Sequence, residues 1–555
     1  MNDLNHLLAL TRGQNIFLRD RIDLVASNSW ISSFARLTMG SYLSNVYCMG
    51  MPGKRASLGS TFIDMIERDV MNLSGELFGC PNVICQFLSG MQANIAAYHA
   101  VLEPGDKVVS SPSKHGGHFS HHLHGPLEFF KPQVLHAPFD PETYNIDVGS
   151  LEALFEKENP KLLIVGWSGF PFAYPLQEIR KLCDAYAVTL LYDMSHVAGL
   201  VAGGVFQTDV GTTADIITTS TGKSMHAPDH GLLFYNREDY EPKLVHAATN
   251  LLTSNAHPQE LAAIGVALAE LKEFGHDYAS QVVKNTKTLG RALTTRGVKA
   301  LYAEQDYSDT HTLLVEYENA ESAVTVFDNA GIALNACELP WDEPGKRTGL
   351  RIGTQVVTRR GLGEVEMVRI ADAIARILVE GENPAQIRYE LVLPLARAFQ
   401  GVAYSFDADF PLDPNWQDKP YLPEQAADVE ALTLSVPAFS ELSIGSVRSI
   451  SQHMEHIVVR DGQLLFQEGT QPDAVYFIIS GALEVFTASG IVVAECGPGT
   501  HVGELGVMRS AGRAFPVRAR GATSVLRLPA EYFMKLLLEN EIVHAYFERY
   551  CTSLN

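Results

Sequence analysis

The chain has 555 residues, 46% of them hydrophobic, and its 64 acidic and 42 basic residues give a formal net charge of −22. This acidic balance is the wrong sign for broad binding to nucleic acid or to an anionic membrane, so we expect neither as a partner. The N-terminus lacks a basic flank before an apolar core, and no apolar run approaches membrane-spanning length. These features predict a cytoplasmic protein.

From about residue 70, short β-rich runs alternate with helical stretches. This alternation is typical of an α/β fold in which helices cover both faces of a mainly parallel central sheet. A second α/β segment follows from about residue 285. The predicted strands cover residues 83–87, 107–109, 162–166, 189–192, 215–218, 231–235, 312–315 and 349–353, and the predicted helices cover 259–274 and 364–380.

A proline-rich stretch separates the last part of the chain. Pro411, Pro414, Pro420 and Pro423 resist helix formation. Beyond them, strands are predicted over residues 463–466, 474–479, 482–486 and 491–494. We therefore expect a large domain with an N-terminal arm over 1–280, a small α/β subdomain over 281–405, a linker over 406–433 and a β-rich module over 434–555.

A lysine and an aspartate follow two of the predicted strands. Asp193 ends the apolar strand 189–192, and Lys223 follows the small and hydroxylated residues 217–222. A buried lysine amine can form a Schiff base with an aldehyde when desolvation keeps it neutral. An aspartate can keep a pyridine nitrogen protonated, so that the ring withdraws electrons from the α-carbon of a bound amino acid. The pair indicates a pyridoxal phosphate (PLP) site.

The turn after strand 83–87 is the predicted site for the cofactor's phosphate. Ser89 and Gly90 lead into a helical stretch. A helix N-terminus offers free N–H groups and the positive end of the helix dipole to an anion. A serine and a glycine before a helix are also an ordinary cap, and the residues alone leave both interpretations open.

Several strings in the first 400 residues resemble the serine hydroxymethyltransferase family of fold type I PLP enzymes and occur in that family's order. They cover residues 24–27, 52–55, 79–94, 102–106, 115–118, 193–201, 351–354 and 358–361. The resemblance implies PLP as cofactor, an amino acid and an aldehyde as reactants, and a homodimer with shared active sites.

The resemblance also implies roles for individual residues. Lys223 would be the Schiff-base lysine, and Asp193 would hold the pyridine nitrogen. His118 would stack on the ring, and His196 would lie near the cofactor's O3′ group. Further cofactor contacts would come from Ser89, Gly90, Met91, Ser168 and Thr221, and from Tyr47 toward the phosphate of the neighbouring subunit.

Two further residues are implied at the substrate. Arg351 would bind the substrate carboxylate with Ser27 beside it, because a guanidinium group can donate two parallel hydrogen bonds to a carboxylate. A bound amino acid then loses the α-carbon bond that is held perpendicular to the cofactor ring. Cleavage of the Cα–Cβ bond is an aldol reaction, and loss of the Cα–H bond leads to racemisation.

The chain departs from the family pattern where folate-dependent transfer needs a proton carrier. Met49 stands in place of a glutamate, and Gly222 stands in place of a histidine. Strings at 254–257, 274–279 and 403–407 look more like the threonine transaldolase branch. We therefore expect aldol-type cleavage or transfer on a β-hydroxy-α-amino acid.

Three alternatives stay open: an amino-acid racemase, a folate-dependent glycine/serine hydroxymethyltransferase, and an amino-acid sensor without turnover. Aldol chemistry and racemisation both need a proton carrier. The candidates are His226, His230, Tyr47 and Lys223.

Five histidines cluster between residues 115 and 124. Their spacing fits no standard zinc pattern and no cysteine accompanies them, so we expect no metal site. The seven cysteines of the chain form no C-x-x-C pair, as expected for reduced thiols.

The β-rich module resembles the cyclic-nucleotide-binding domain, a β-roll with flanking helices, through residues 465–469, 475–481, 502–506 and 513–514. The resemblance implies that Glu504 accepts a hydrogen bond from the ribose 2′-hydroxyl and that Arg513 pairs with the cyclic phosphate. Gly503, Leu505 and Ala514 would complete the site. Ala514 lacks the hydroxyl associated with cGMP, so we expect cAMP as a regulator. A degenerate module that binds no nucleotide is the alternative.

Overall fold

The computed structural model describes residues 2–408, 429–434, 436–439, 442 and 444–553. These residues form two compact units, a large unit made mainly of residues before 409 and a C-terminal unit made mainly of residues after 428. Most of the expected linker, 406–433, and all four of its prolines lie outside the described residues. No helix within the described ranges combines the length and the hydropathy needed to cross a bilayer.

Helices and strands alternate through the first 408 residues, as the sequence predicts. The helices are α1 Asn2–Arg19, α2 Ser33–Met39, α3 Thr61–Phe78, α4 Gly90–Val101, α5 Val148–Glu158, α6 Leu176–Ala185, α7 Ala198–Ala202, α8 Val210–Thr213, α9 Glu241–His246, α10 Pro258–Thr295, α11 Ala320–Asn329, α12 Gln355–Arg359, α13 Glu364–Leu378, α14 Pro384–Ile387 and α15 Leu393–Ala398. The strands are β1 Ile22–Asp23, β2 Val83–Phe87, β3 Lys107–Ser110, β4 Gln133–His136, β5 Phe139–Asp140, β6 Asn145–Ile146, β7 Leu162–Val165, β8 Thr189–Asp193, β9 Ile216–Ser220, β10 Gly231–Tyr235, β11 Thr312–Glu316, β12 Ile332–Ala333, β13 Asn335–Cys337 and β14 Gly349–Gly353.

The central sheet of the large unit has the strand order β2-β10-β9-β8-β7-β3-β4. Strand β10 is antiparallel to both of its neighbours, and the strands from β9 to β4 pair in parallel. Every residue of β2, β7, β8, β9 and β10 is buried. Separate apolar clusters cover the two faces of the sheet. The predicted mainly parallel α/β sheet is thus confirmed, and the carboxyl ends of its parallel strands meet at one edge.

A second, smaller sheet follows in the order β11-β14-β13, with antiparallel pairing. It packs with α11 and α13 in a core of its own, which also includes Ile22 and Leu24 from the N-terminal arm. Strand β1 of that arm pairs in parallel with β12. The arm therefore contributes residues to the small subdomain's core and holds residues 24–28 beside β14.

Helix α10 is longer than predicted. The sequence predicts a helix over 259–274, whereas α10 runs from Pro258 to Thr295 and passes through Gly275. The expected boundary at 280/281 falls within it. Gly275 is accommodated because α7 approaches closely: a Cβ atom on Gly203 would lie 2.4 Å from the Gly275 carbonyl oxygen. Packing against α7 thus allows the helix to continue through a residue that favours helix ends.

The C-terminal unit is an antiparallel sheet with the order β15-β20-β17-β18, in which β16 pairs with β20 and β19 pairs with β17. Its elements are α16 Val429–Leu434, α17 Ile444–Ser451, β15 Glu455–Val459, β16 Leu464–Phe466, β17 Ala474–Phe486, β18 Val492–Cys496, β19 His501–Val502, α18 Glu504–Met508, β20 Val517–Pro529, α19 Ala530–Glu539 and α20 Glu541–Ser553. The predicted β-roll with flanking helices is confirmed.

One strand prediction in this unit is wrong. Residues 474–479 and 482–486 were expected to form two strands, and they form the single strand β17. Its pairing with β20 shifts register around Ser480, and Gly481 has a positive φ of 81°. The residues that suggested a turn form an irregularity within one long strand.

Candidate active site

Loops at the carboxyl ends of β2, β3, β7, β8 and β9 converge on a cavity of about 190 Å³ in the large unit. Most of the sequence-predicted cofactor residues line it. The lining residues are Ser89, Gly90, Met91, Asn94, His118, Phe119, Gly166, Trp167, Ser168, Asp193, Ser195, His196, Ser220, Lys223 and Asp229. We call this space the lysine cavity.

Lys223 lies in the turn that follows β9. Burial lowers the pKa of its amine, and the nearby Arg351 lowers it further, while Asp193 and Asp229 act in the opposite direction. The His226 amide donates to the Lys223 carbonyl at 3.2 Å and closes the turn. Lys223 is therefore a desolvated amine in a fixed loop, as a Schiff-base lysine requires.

Asp193 ends β8, and three donors surround its carboxylate. Burial alone would raise the pKa of Asp193, but these donors bring it well below its usual range. Oδ2 accepts hydrogen bonds from the Asn94 side chain at 2.9 Å and from His121 Nε2 at 3.1 Å, and Oδ1 accepts one from the Ser195 amide at 3.0 Å. Asp193 is thus an ionised carboxylate at the cavity wall.

Two histidines of the cavity are held in their neutral form. Burial and the neighbouring His121 lower the pKa of His118 to about 4. Burial and Lys223 bring the pKa of His196 well below its usual range. His118 Nδ1 lies 2.7 Å from the Ser120 hydroxyl, which fixes the ring. Nδ1 of His196 is buried and has no hydrogen-bond partner among the described residues.

The N-terminus of α4 forms the end of the lysine cavity near Ser220. The Ser89 hydroxyl accepts from the Gln92 amide at 3.2 Å, so its side chain acts as the helix cap. A Cβ atom on Gly90 would lie 3.0 Å from both the backbone nitrogen and the Cβ of Ser220. The missing side chain lets α4 and the end of β9 approach closely, and the helix dipole favours an anion there.

A second cavity of about 510 Å³ adjoins the first and shares His118, Phe119 and Ser168 with it. Ser27 and Arg351 both line this space, which we call the arginine cavity. Arg351 Nη1 donates to the Ser168 carbonyl oxygen at 2.9 Å. Residues 24–28 are fixed beside it, because the Gly353 amide donates to the Leu24 carbonyl at 2.7 Å.

Several predicted residues lie away from both cavities. The hydroxyl of Thr221 is buried and donates to the Pro228 carbonyl. Tyr47 is 60% exposed. Nε2 of His226 is 2.9 Å from the Tyr278 hydroxyl, and Nε2 of His230 is 3.0 Å from the Cys85 carbonyl oxygen. Of the four proton-carrier candidates, Lys223 lines the lysine cavity, and the other three line neither this cavity nor the arginine cavity.

Sequence reasoning missed residues that shape the site. Asn94 and His121 both bind Asp193, and the predictions from the sequence assign neither of them a role in the cofactor site. Asp229 lies two residues before the first residue of β10. It accepts a hydrogen bond from the Ser220 hydroxyl at 2.9 Å and also lines the lysine cavity. Asn94 could have been predicted from the sequence, because it lies one helical turn after Gly90 and therefore on the same side of α4.

Three of the five histidines between 115 and 124 make separate contacts. His121 is bound to Asp193, and His118 is bound to Ser120. The ring of His115 stacks on Phe139 with centroids 4.2 Å apart. Within the described ranges, no group of three or more His, Cys, Asp or Glu side chains is arranged to hold a metal ion.

The residues of the lysine cavity fit PLP. Three residues that line this cavity have buried polar atoms without partners among the described residues, namely His196 Nδ1, Ser168 Oγ and Trp167 Nε1. Such atoms are costly to bury unless a bound group satisfies them. A desolvated amine, an ionised carboxylate and a helix N-terminus complement the aldehyde, the pyridine nitrogen and the phosphate of PLP.

The predicted nucleotide residues of the C-terminal unit are also close together. Glu504 is 4% exposed, burial raises its pKa to about 7, and its Oε2 has no partner among the described residues. Arg513 donates from Nη1 to the Gly503 carbonyl at 2.8 Å and from Nη2 to the Ala474 carbonyl at 2.7 Å. Its Nη2 also lies 3.1 Å from Asp473 Oδ1. Glu504 and Leu505 begin α18, and Ala514 is exposed.

Comparison with known proteins agrees with both parts of the chain. The family model described as serine hydroxymethyltransferase matches residues 5–374, and the one described as cyclic nucleotide-binding domain matches residues 456–540. The serine hydroxymethyltransferase of Methanocaldococcus jannaschii is 34% identical over 404 residues, which are 71% of this chain and 94% of that relative. That of Thermococcus gammatolerans is 36% identical over 402 residues, or 70% of this chain and 94% of the relative.

A similar solved structure is the L-threonine transaldolase from Pseudomonas fluorescens in its internal aldimine state. It has a TM-score of 0.69 and 27% sequence identity, and the match covers 75% of this chain and 96% of that one. The two resemblances drawn from the sequence are confirmed.

Proposed function

Because the chain belongs to the serine hydroxymethyltransferase family of PLP enzymes, we propose that it cleaves or transfers at the Cα–Cβ bond of a β-hydroxy-α-amino acid. The observation that carries the proposal is the pair of adjoining cavities, one holding Lys223 and Asp193 and the other holding Arg351 and Ser27. The likeness to a threonine transaldolase supports this reaction over folate-dependent transfer. Met49, which cannot carry a proton, supports it as well.

The chain's own residues divide the work of such a reaction. PLP, when bound, supplies the electron sink that stabilises negative charge at the α-carbon. The N-terminus of α4 would hold its phosphate, Asp193 its pyridine nitrogen and His118 the face of its ring. Arg351 would orient the substrate through its carboxylate. Lys223 Nζ would take and return protons, because burial lowers the pKa of this amine and it lines the cavity.

The test is product analysis on the full-length protein supplied with PLP. L-threonine should give acetaldehyde and glycine, and a second aldehyde should be incorporated into a new β-hydroxy amino acid. L-alanine in deuterated water reports racemisation, and L-serine with tetrahydrofolate reports hydroxymethyl transfer. Exchange at the α-carbon of alanine without acetaldehyde release would replace the proposal by a racemase. If amino acids change the absorbance of the cofactor but no substrate is turned over, the protein would be an amino-acid sensor and not an enzyme.

We also propose that cAMP binds the C-terminal unit and changes the turnover rate. The buried, unpartnered Oε2 of Glu504 favours a ligand that offers a hydroxyl group at this point. Arg513 Nε is buried and has no partner among the described residues, which leaves a donor for a cyclic phosphate beside the contact of Nη2 with Asp473. Regulation further requires that cAMP bind two states of the protein with different affinities.

Calorimetric titration of cAMP and cGMP into the full-length protein tests the binding, and turnover with and without saturating nucleotide tests the regulation. Glu504→Ala should abolish the heat of binding, and the exposed Glu531→Ala serves as its control. Identical turnover with and without nucleotide would refute the regulation. Absence of binding to the unaltered protein would mark the module as a degenerate one.

We propose in addition that the enzyme is a homodimer in which Tyr47 of one subunit reaches the cofactor phosphate of the other. Tyr47 is 60% exposed and lines neither the lysine cavity nor the arginine cavity of its own chain, so its side chain is accessible to a second subunit. Light scattering would give the mass in solution. Mixing Tyr47→Phe with Lys223→Ala subunits should restore activity, because mixed dimers contain one intact site. No restoration in verified mixed dimers would refute shared sites.

A further inference from the structure

The arginine cavity contains a second arginine that the family resemblance does not explain. Arg347 lines the cavity together with Arg351 and precedes it by four residues. In extended chain, residues i and i+4 lie on the same face, so the side chains of Arg347 and Arg351 project from the same side of the segment that enters β14. Four residues of extended chain span about 13 Å, a distance that two long side chains can reduce considerably.

The loop that carries Arg347 is well ordered by hydrogen bonds. Asp342 accepts from the Leu339 amide at 2.9 Å, from the Thr348 amide at 2.9 Å and from the Thr348 hydroxyl at 2.5 Å. The Tyr317 amide donates to the Thr348 carbonyl at 2.8 Å and extends the pairing of β11 with β14 by one step. The backbone that carries Arg347 is therefore fixed next to the cavity, and its side chain is 54% exposed.

The charges around the arginine cavity do not cancel. Arg351 has no carboxylate partner among the described residues, and Arg347 has a distant one, Glu321 Oε1 at 3.8 Å, in a pair that is more than half exposed. Such a pair contributes little. Glu338 lines the cavity, but its Oε1 accepts a hydrogen bond from the Gly345 amide at 2.9 Å within the hairpin loop.

Polar atoms in the same wall also lack partners. Arg351 Nε and Asn335 Oδ1 are buried without a hydrogen bond to any described residue. A buried guanidinium group with an unsatisfied N–H needs an anion or a strong acceptor nearby. The α-carboxylate of the substrate supplies one anion for Arg351, and Arg347 remains for another.

From this arrangement we propose that the arginine cavity binds a reactant with a second anionic group, a carboxylate or a phosphate, on the part distant from the α-carbon. Arg351 binds the α-carboxylate and Arg347 binds the distal anion. This proposal rests on the proposed function, because that function places the α-carboxylate of the substrate at Arg351 and its α-carbon at the lysine cavity. It names the substrate class as acidic β-hydroxy amino acids or acidic aldehydes, rather than neutral ones such as threonine and acetaldehyde.

The test compares matched neutral and anionic ligands on the full-length protein loaded with PLP. Binding is read from the change in cofactor absorbance, with L-alanine against L-aspartate and L-glutamate for the carboxylate, and L-serine against O-phospho-L-serine for the phosphate. We expect at least one anionic ligand to bind about tenfold more tightly than its neutral counterpart, as a charge-assisted hydrogen bond implies. A preference in the aspartate or glutamate comparison would identify the distal anion as a carboxylate, and a preference in the phosphoserine comparison would identify it as a phosphate.

Variants assign the preference to a residue. Arg347→Gln should bring the ratio of affinities close to one, Arg347→Lys should keep part of it, and Arg397→Gln, at an exposed ion pair with Asp20, should leave it unchanged. Equal affinities in the unaltered protein, or a preference that survives Arg347→Gln, would overturn the proposal.

Because binding is read without turnover, an anionic preference without carbon–carbon cleavage would refute the proposed function alone. Cleavage without that preference would refute the distal anion site alone.

Discussion

Nε2 of His121 lies 3.1 Å from Oδ2 of Asp193, and Nδ1 of the same ring lies 2.6 Å from the hydroxyl of Tyr98. An ionised Asp193 can only accept, so Nε2 carries a proton and the imidazole links a buried phenol to the carboxylate. Burial keeps the pKa of Tyr98 well above its usual value, so the phenol stays neutral. The chain thereby fixes the orientation and the charge of the group expected to hold the pyridine nitrogen.

His121→Asn should therefore weaken catalysis without removing the fold. Loss of this donor raises the pKa of Asp193, and one pKa unit is worth about 1.4 kcal/mol, so turnover should fall about tenfold or more. The absorbance of the bound cofactor should also change its pH dependence. His124→Asn, on an exposed residue of the same loop, is the control. Equal turnover and equal spectra for the two variants would show that His121 has no positioning role.

Lys223→Ala should abolish activity and the absorbance band of the Schiff base while the protein stays folded. The change removes the amine that we propose to attach the cofactor and carry protons, and we expect turnover to fall by about a thousandfold or more. Lys284→Ala changes an exposed lysine of α10 and should behave like the unaltered protein. Catalysis by Lys223→Ala at the unaltered rate would remove the assignment of the active site.

The sequence predicts the strands of the large unit well because they are buried, apolar and bounded by turn residues. Residues 83–87 and 349–353 were predicted as strands and form β2 and β14 with the same bounds. Asp193 and Lys223 could be found because each follows such a strand. Position relative to a strand's carboxyl end is information that a sequence carries directly.

Features that depend on how loops fold back could not be predicted in this way. His121 lies 72 residues before Asp193 in the chain, and its role depends on the path of the loop after β3. Thr221 directly follows β9, yet its hydroxyl donates a hydrogen bond to the Pro228 carbonyl. The length of α10 depends on the close approach of Gly203 to Gly275. Each outcome is set by tertiary packing, which outweighs local preference.

Gly90→Ala should lower the affinity for PLP. The added Cβ would lie 3.0 Å from the backbone nitrogen of Ser220, so either α4 or the end of β9 must shift. The proposed phosphate site is the N-terminus of α4, which such a shift would disturb. We expect the dissociation constant of PLP, measured by absorbance titration, to rise about tenfold, as for a loss of about 1.4 kcal/mol. Gly149→Ala adds the same methyl group in the first turn of α5, where the nearest atom is 3.6 Å away. PLP affinity that matches this control would refute a tight phosphate site at Gly90.

Glu504→Gln should stabilise the ligand-free C-terminal unit at high pH. Burial raises the pKa of Glu504 from 4.5 to about 7, so between these values the folded state holds a proton that the unfolded state has lost. The free energy of unfolding therefore falls as the pH rises from about 4.5 to 7, and the loss is complete above that range. At about 1.4 kcal/mol per pKa unit, the loss amounts to about 3 kcal/mol.

A glutamine at position 504 does not ionise and should avoid this loss. Hydrogen exchange of β17 in the full-length protein, corrected for intrinsic rates, would give the free energy of opening for both forms at pH 5 and pH 8. The variant should be more stable than the unaltered protein at pH 8, and the difference should shrink toward pH 5. The exposed Glu531→Gln should show no such dependence. A difference that is the same at both pH values would mean that the buried carboxylate is not the group that titrates.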